Sequence, residues 1–175
     1  MNYDYLKKET APQILVQAMK LIGTKEIIGT IHSKVIMAWA NQLGIEKTYT
    51  NDEIAWCGLF ISYVCKMANV EVPFSVLAGL WALNWNKFGT VQKTAMLGDI
   101  LTFKRNGGGH VGIYVGEDDK CFHVLGGNQS NMVCITRIEK TRCAGIRRTP
   151  WKIAQPESVR AIAVNSNGFI SKNEA

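Results

Sequence analysis

The segment "DEIAWCGLFISYVCKMA", from Asp52 to Ala68, places a cysteine where a polar stretch turns into an apolar helix. Apolar residues then recur at the spacing of one helical face: Cys57, Phe60, Ile61, Val64, Cys65 and Ala68. A cysteine in the first turn of a helix lies at the positive end of the helix dipole, beside backbone N–H groups that favour the thiolate. Free cysteines are also among the most buried residues, so Cys57 is either a core thiol or a nucleophile. Cys65, two turns further along, is predicted to be core.

The segments before and around this helix predict a helical first half. Apolar stripes that end in glycine indicate helices over residues 11–23 and 33–43, and a shorter helix is predicted over 76–85. We assign the helical half to residues 1–90.

The second half of the chain changes character after Gly98. Short β-rich runs are separated by glycines and polar turns: "DILTF", "HVGIYVG", "KCFHVLG", "MVCITRI" and "CAGIRR". Helices followed by strands, without alternation of the two, predict an α+β fold with a mainly antiparallel sheet. We therefore predict one domain over 1–165 with its sheet half over 98–165, a last strand over Ser158–Val164, and a flexible tail over 166–175.

Residues 107–131, "GGGHVGIYVGEDDKCFHVLGGNQSN", predict a β-hairpin with its turn between Asp118 and Asp119. Such a turn sets Val115 opposite Phe122 and Ile113 opposite Val124, which makes one face of the hairpin apolar.

The same register brings a histidine and an asparagine together. It sets His110 opposite Gly127, one residue from Asn128, and places His123 on the same face as His110 but roughly 13 Å away. An amide beside an imidazole can fix its tautomer and aim one nitrogen at a thiol, as in a Cys–His–Asn arrangement. Taken singly, His110 reads as an exposed strand residue and Asn128 as a turn residue. In the chain order Cys57, His110, Asn128 they favour a thiol active site, with His123 in a structural or pocket-lining role.

Composition limits the classes of function that fit. The 175 residues carry a net charge of +6 and an isoelectric point near 9.1, which favours anionic surroundings. No nucleic-acid-binding signature, membrane span or secretory signal is recognisable. The five cysteines form no CxxC pair and share no metal-ligand spacing with the three histidines, so we expect free thiols and neither a metal nor a cofactor.

Several motifs in this order resemble the CHAP and NlpC/P60 cysteine peptidoglycan hydrolases of the papain-like superfamily, and more closely a phage-associated family of small proteins with that catalytic core. The matching segments extend from about residue 20 to 148: "GTKEIIGTIHSKVI", "DEIAWCGLFISYV", "LGDILTF", "GGGHVGIYVGED", "VLGGNQSNMV" and "GIRR".

The resemblance implies a nucleophile helix packed on a small antiparallel sheet, in the papain-like manner. It implies Cys57 as nucleophile, His110 as general base and acid, and Asn128 as the third polar residue. Candidates for the walls of the cleft are Trp56, Asp52, Glu53 and Gln129. A structural role fits these equally well: Trp56 can staple the helix start, and Glu53 can complement the helix dipole.

The implied function is hydrolysis of a peptidoglycan amide, either the sugar–peptide bond or a bond within the stem peptide or cross-bridge. A monomer made in the cytoplasm without a signal peptide would act in the periplasm or cell wall after delivery by a holin, a phage particle or a secretion system. A secreted toxin would also need a cognate inhibitor or immunity protein, whereas nucleic acid is not an expected partner. Two alternatives stay open: a papain-like thiol enzyme that acts on proteins or lipids, and a binding module that has lost the chemistry.

Overall fold

The computed structural model of this protein describes residues 3–8, 11–151, 154–166, 168–172 and 174. Within them the chain forms an α+β fold in which helices come first and a mainly antiparallel sheet follows, as predicted. The sheet has seven strands. The α-helices are α1 (Gln13–Met19), α2 (Lys34–Gln42), α3 (Cys57–Met67) and α4 (Val76–Gly79). Three short 3-10 helices cover Asp4–Lys7, Ala82–Lys87 and Lys140–Arg142.

The helices begin and end close to their predicted bounds. Gly23 and Gly44 adopt left-handed backbone angles, with φ of +90° and +73°, and so close the segments of α1 and α2. The helix predicted over 76–85 divides into α4 and the 3-10 helix that follows. Cys65 is fully buried in α3, which confirms its prediction as a core residue.

The sheet is antiparallel except at one edge. Its strands are β1 (Thr90–Val91), β2 (Ile100–Arg105), β3 (Gly108–Glu117), β4 (Cys121–Gly126), β5 (Cys134–Glu139), β6 (Cys143–Arg148) and β7 (Ile170–Ser171). They lie in the order β1-β6-β2-β3-β4-β5-β7, and β7 runs parallel to β5. The central β3 therefore has a neighbour on each side, and α3 packs against it.

Each face of the sheet has its own apolar cluster, which follows from the alternation of side chains along a strand. One face, here called the helix face, packs Val111, Ile113 and Leu125 against the helices in the main core. On the opposite face, here called the outer face, Phe103, Tyr114 and other residues form a second cluster.

The predicted register of the β3–β4 hairpin is wrong. Ile113 lies opposite Leu125 and Tyr114 opposite Val124, and after a β-bulge Gly116 lies opposite His123. The turn is also displaced, because the Asp118 side chain accepts hydrogen bonds from the backbone N–H groups two and three residues further on.

The bulge changes the face on which His123 lies. His110 pairs with Phe103 of the outer face, whereas His123 alternates with Phe122 and Val124 of that face and so points to the other side. The prediction that the two histidines share a face is therefore wrong.

The C-terminal segment belongs to the sheet rather than lying beside it. Residues 158–164 form an isolated bridge, between Ala163 and Glu117, in place of the predicted strand. In the predicted tail, β7 pairs with β5 and Glu174 is 1% exposed. The tail prediction for Asn167, Asn173 and Ala175 lies outside the described residues.

Candidate active site

Cys57 is the first residue of α3. Burial holds the side chain of the residue before it, Trp56, in place. Trp56 is fully buried, and its indole Nε1 donates a hydrogen bond of 2.9 Å to Glu26 Oε2. Burial raises the pKa of the Cys57 thiol, and this outweighs the opposing effect of the Val111 N–H, the Arg105 charge and the Gly58 N–H. The resting group is therefore a protonated thiol whose sulfur already has backbone donors around it, the surroundings that a thiolate needs.

His110 immediately precedes the residue whose N–H contacts the thiol. It lies on β3 and is 1% exposed. Burial lowers the pKa of His110 to about 4, although the negative charge of Glu174 and a hydrogen bond with Gln129 act in the opposite direction. The imidazole is thus neutral at pH 7 and able to accept a proton.

Gln129 fixes the tautomer of that imidazole. Its amide nitrogen donates to the carbonyl oxygens of Val124 (3.2 Å) and Cys134 (2.5 Å), so its Oε1 is the atom that faces His110. Oε1 lies 3.0 Å from His110 Nε2, and an amide oxygen can only accept. Nε2 therefore carries the proton, which leaves Nδ1 as the nitrogen that can act as a base.

Two glycines connect the imidazole to the nucleophile helix. A Cβ atom at Gly126 would lie 3.1 Å from His110 Nε2, and one at Gly127 would lie 2.6 Å from Phe60 Cβ. Because both positions lack a side chain, the end of β4 passes between α3 and the imidazole. Cys57 therefore lies on the helix face, whereas the His110 imidazole lies on the outer face beside Gln129.

Asn128 takes a different position from the one predicted. It is buried and adopts a left-handed backbone conformation with φ of 57°, as Ser130 and Asn131 do in the same loop. These angles turn the loop so that the next residue, Gln129, contacts the imidazole. The structure therefore places the amide of Gln129, predicted only as a cleft wall, where the third polar residue of the site was expected.

Asp52 and Glu53 hold a loop in place. The Asp52 carboxylate is fully buried and accepts hydrogen bonds from the N–H groups of Ile27 (3.0 Å) and Ser33 (2.8 Å). Burial acts to raise its pKa, but these hydrogen bonds and one with His32 lower it below the ordinary value. Glu53 Oε1 accepts from Gly29 N–H at 3.3 Å in the same loop. Like the buried Trp56, Asp52 has a structural role, and its enclosed carboxylate does not line an open cleft.

An ion pair near the imidazole was not anticipated from the sequence. Arg142 donates to both carboxylate oxygens of Glu174, at 2.8 and 2.7 Å, and to the backbone of Lys104 next to Phe103. Burial acts to raise the pKa of Glu174, but the hydrogen bonds from Arg142 and the charge of Arg142 lower it. Glu174 lies more than 60 positions from His110 in the chain, and no motif links them.

His123 belongs to a separate polar cluster. Its Nε2 lies 2.9 Å from Asp118 Oδ2, its Nδ1 lies 2.9 Å from the Tyr3 hydroxyl, and Arg137 donates to the same Asp118 oxygen. Each ring nitrogen of His123 thus has a side-chain partner, which fits the structural one of the two roles predicted for it from the sequence.

The burial of His110 predicts a specific pH dependence of stability. Its pKa is about 4 in the folded protein, against about 6.5 in an unfolded chain. Between those values the unfolded chain binds a proton that the folded chain excludes. The contribution of His110 to the free energy of unfolding is therefore complete above pH 6.5 and is lost as the pH falls towards 4. The loss is about 3 kcal/mol at about 1.4 kcal/mol per pH unit.

Urea unfolding at pH 7 and pH 4.5 measures this loss. Between pH 7 and pH 4.5 we expect the free energy of unfolding to fall in both proteins. The fall should be about 2 kcal/mol or more smaller for His110→Gln than for the wild type. An equal fall in both proteins would contradict a buried neutral imidazole.

No protein family model, curated protein or solved structure matches this chain. The longest helix in the described residues has 11 residues, and none is long and apolar enough to cross a membrane. Within the same residues, no three His, Cys, Asp or Glu side chains are grouped so as to hold a metal ion. Function must therefore be inferred from the site and from the motifs of the sequence.

Proposed function

We propose that this protein is a cysteine-dependent peptidoglycan hydrolase with a papain-like arrangement of the CHAP and NlpC/P60 type. The observation that carries the proposal is the geometry at the start of α3. The Cys57 thiol lies among the N-terminal donors of α3 and contacts the N–H of Val111. His110, the residue before Val111, carries a buried imidazole, and Gln129 fixes its tautomer. Nucleophile, base and orienting residue are the three parts that thiol acyl transfer requires.

The reaction proceeds by acyl transfer. The proposed reaction requires Nδ1 of His110 to come within hydrogen-bond reach of Cys57 when substrate binds. Nδ1 then takes the thiol proton, and the sulfur attacks the amide carbonyl to form a tetrahedral oxyanion. When the C–N bond breaks, the imidazolium gives its proton to the leaving amine and a thioester remains. Water, deprotonated by the same imidazole, then hydrolyses the thioester to a carboxylate and regenerates the thiol. Gln129 holds Nε2–H through both steps, in place of the Asn128 expected from the sequence.

Charge supports an anionic polymer as the substrate. The net charge is +6, and Arg105 and Arg142 both act electrostatically on His110. Cell-wall polymers and their acidic peptides carry the complementary charge. A role in phage lysis, in a phage tail or as a secreted toxin with an immunity partner fits this substrate, with action in the periplasm or cell wall.

One observation favours a second candidate, a thiol hydrolase or acyltransferase that acts on a protein or lipid. The loop held by Asp52 exposes three isoleucines, Ile27, Ile28 and Ile31, with exposed fractions of 43%, 81% and 70%. Exposed apolar side chains of this kind suit contact with an acyl chain or an apolar protein segment.

Mass spectrometry of purified peptidoglycan, digested with wild type or with Cys57→Ala, tests the proposal. We expect new muropeptide ends from the wild type alone, and their masses identify the bond that is cut. Walls of several chemotypes are needed, because stem peptides and cross-bridges differ between bacteria. If none of them yields a product, the peptidoglycan proposal fails, and acylated peptides and phospholipids become the substrates to assay.

A further inference from the structure

Trp81 is a large apolar side chain that the fold leaves in solvent. Its exposed fraction is 74%, whereas Trp39, Trp56 and Trp85 are buried at 2% or less. Tryptophan is usually well buried, because its ring removes a large apolar area from water. A tryptophan exposed to this extent, on a turn that internal hydrogen bonds hold in place, is a candidate for contact with a ligand.

The turn that carries Trp81 touches both halves of the candidate active site. On one side, a Cβ atom at Gly58 would lie 2.2 Å from the carbonyl oxygen of Gly79 and 2.7 Å from that of Leu80. On the other side, a Cβ atom at Gly109 would lie 2.7 Å from Leu83 Cγ. Gly58 follows the nucleophile and Gly109 precedes the base, so Trp81 projects from a turn that spans the two.

Internal hydrogen bonds hold this turn. The buried Trp85 donates from its indole nitrogen to the Gly79 carbonyl oxygen at 2.9 Å, and Asn84 Nδ2 donates to the Ala78 oxygen at 2.8 Å. Ser75 caps the start of α4 by accepting from the Ala78 N–H. The position of Trp81 is therefore fixed before any ligand binds, which limits the entropy lost on binding.

We infer that Trp81 is a platform on which a sugar ring of the substrate stacks. The inference rests on the proposed function and deepens it. The face of an indole carries negative charge density, and one face of a pyranose presents several C–H bonds with the opposite polarity. An exposed, flat and immobile ring suits such a partner, whereas an apolar peptide side chain is better held in a concave pocket.

A sugar held at the turn that lies against Gly58, the residue after Cys57, selects among the amides of peptidoglycan. Only the bond between the lactyl group of the muramic acid and the first amino acid joins a sugar directly to a peptide. Cys57 then forms its thioester with the lactyl carbonyl carbon, the peptide leaves as a free amine with the proton from His110, and water releases the lactyl carboxylate. The platform thus predicts a sugar–peptide amidase rather than an endopeptidase.

Binding of a peptide-free glycan tests the inference without any turnover. The probe is a soluble tetrasaccharide of alternating N-acetylglucosamine and N-acetylmuramic acid, titrated by saturation-transfer NMR against Cys57→Ala protein. In that background we expect Trp81→Ala to raise Kd at least tenfold and Trp81→Phe to raise it less than threefold. Phe169→Ala is the matched control, because it removes an aromatic side chain that is 82% exposed elsewhere in the chain, and we expect it to leave Kd unchanged.

The outcomes separate this inference from the proposed function. The platform would be overturned if Cys57→Ala and the double variant Cys57→Ala/Trp81→Ala bound the glycan equally well. It would also be overturned if the protein bound an apolar peptide through Trp81 and did not bind the glycan. Trp81-dependent glycan binding, together with failure of the wild type to cut any peptidoglycan, would retain the platform and refute the hydrolase.

Discussion

Alanine at Cys57 or at His110 is expected to lower kcat/KM for amide hydrolysis by about 10⁴-fold, and alanine at both positions by no more than either alone. A thiol without its base stays protonated, since burial raises the pKa of Cys57, and a base without its nucleophile has no bond to form. Groups that act as one unit are not additive when they are removed. Steady-state release of amine from soluble peptidoglycan fragments measures the three variants on one scale.

Cys65 supplies the matched control for this experiment. It lies in the same helix and is fully buried, and burial raises its pKa to about 12. Cys65→Ala removes a thiol of equal size from the core and is expected to cost about 1 kcal/mol of stability while leaving kcat/KM within threefold. Additive losses at Cys57 and His110, or an equal loss at Cys65, would refute the proposed pair.

Leucine at Gln129 is expected to lower kcat by about 10²-fold with little change in KM, because the imidazole is then free to populate the wrong tautomer. The substitution also leaves the carbonyl groups of Val124 and Cys134 without the donor that they share, at a cost of about 1–3 kcal/mol. Urea unfolding must therefore accompany the kinetics, so that the loss is measured on folded protein.

Asn128→Gly is the control that discriminates between the two amides. Glycine accepts the left-handed backbone at this position, whose φ is 57°, so the loop is kept while the neighbouring amide is removed. We expect its kcat to stay within threefold of wild type. A large loss in Asn128→Gly with normal activity in Gln129→Leu would restore Asn128 as the third residue of the site. A single pH profile of kcat for each variant adds a readout that a purely structural role would not change.

The sequence was sufficient for the main helices and the central strands, but not for the last strand or for the pairing between strands. The helix that starts at Cys57 and the strands after Gly98 follow from local periodicity, which each segment carries by itself. The hairpin register depends on the Asp118 side chain, which displaces the turn, and on the bulge between Tyr114 and Gly116. Neither feature can be predicted from the alternation of apolar residues. An error of one residue in the register moves a side chain to the other face of the sheet.

A similar cause explains why Gln129, rather than the predicted Asn128, contacts the imidazole. Adjacent amides in a loop look equivalent in sequence, and the choice between them is made by left-handed backbone angles at Asn128, Ser130 and Asn131. The Glu174–Arg142 ion pair was beyond sequence reasoning because it joins segments 32 positions apart that carry no shared pattern.

The enclosure of the candidate site has an energetic consequence for any polymer that enters it. Cys57 and His110 are 4% and 1% exposed, so under the proposed function a glycan or peptide reaches them only in a more open arrangement of the protein. If the open form is a minor population, apparent affinity falls in proportion to that population, about tenfold for each 1.4 kcal/mol that separates the two forms. The same rarity shields the thiol from oxidants and alkylating agents between turnovers. In the proposed hydrolase, affinity for substrate and chemical durability of the thiol would thus be set by one equilibrium and vary in opposite directions.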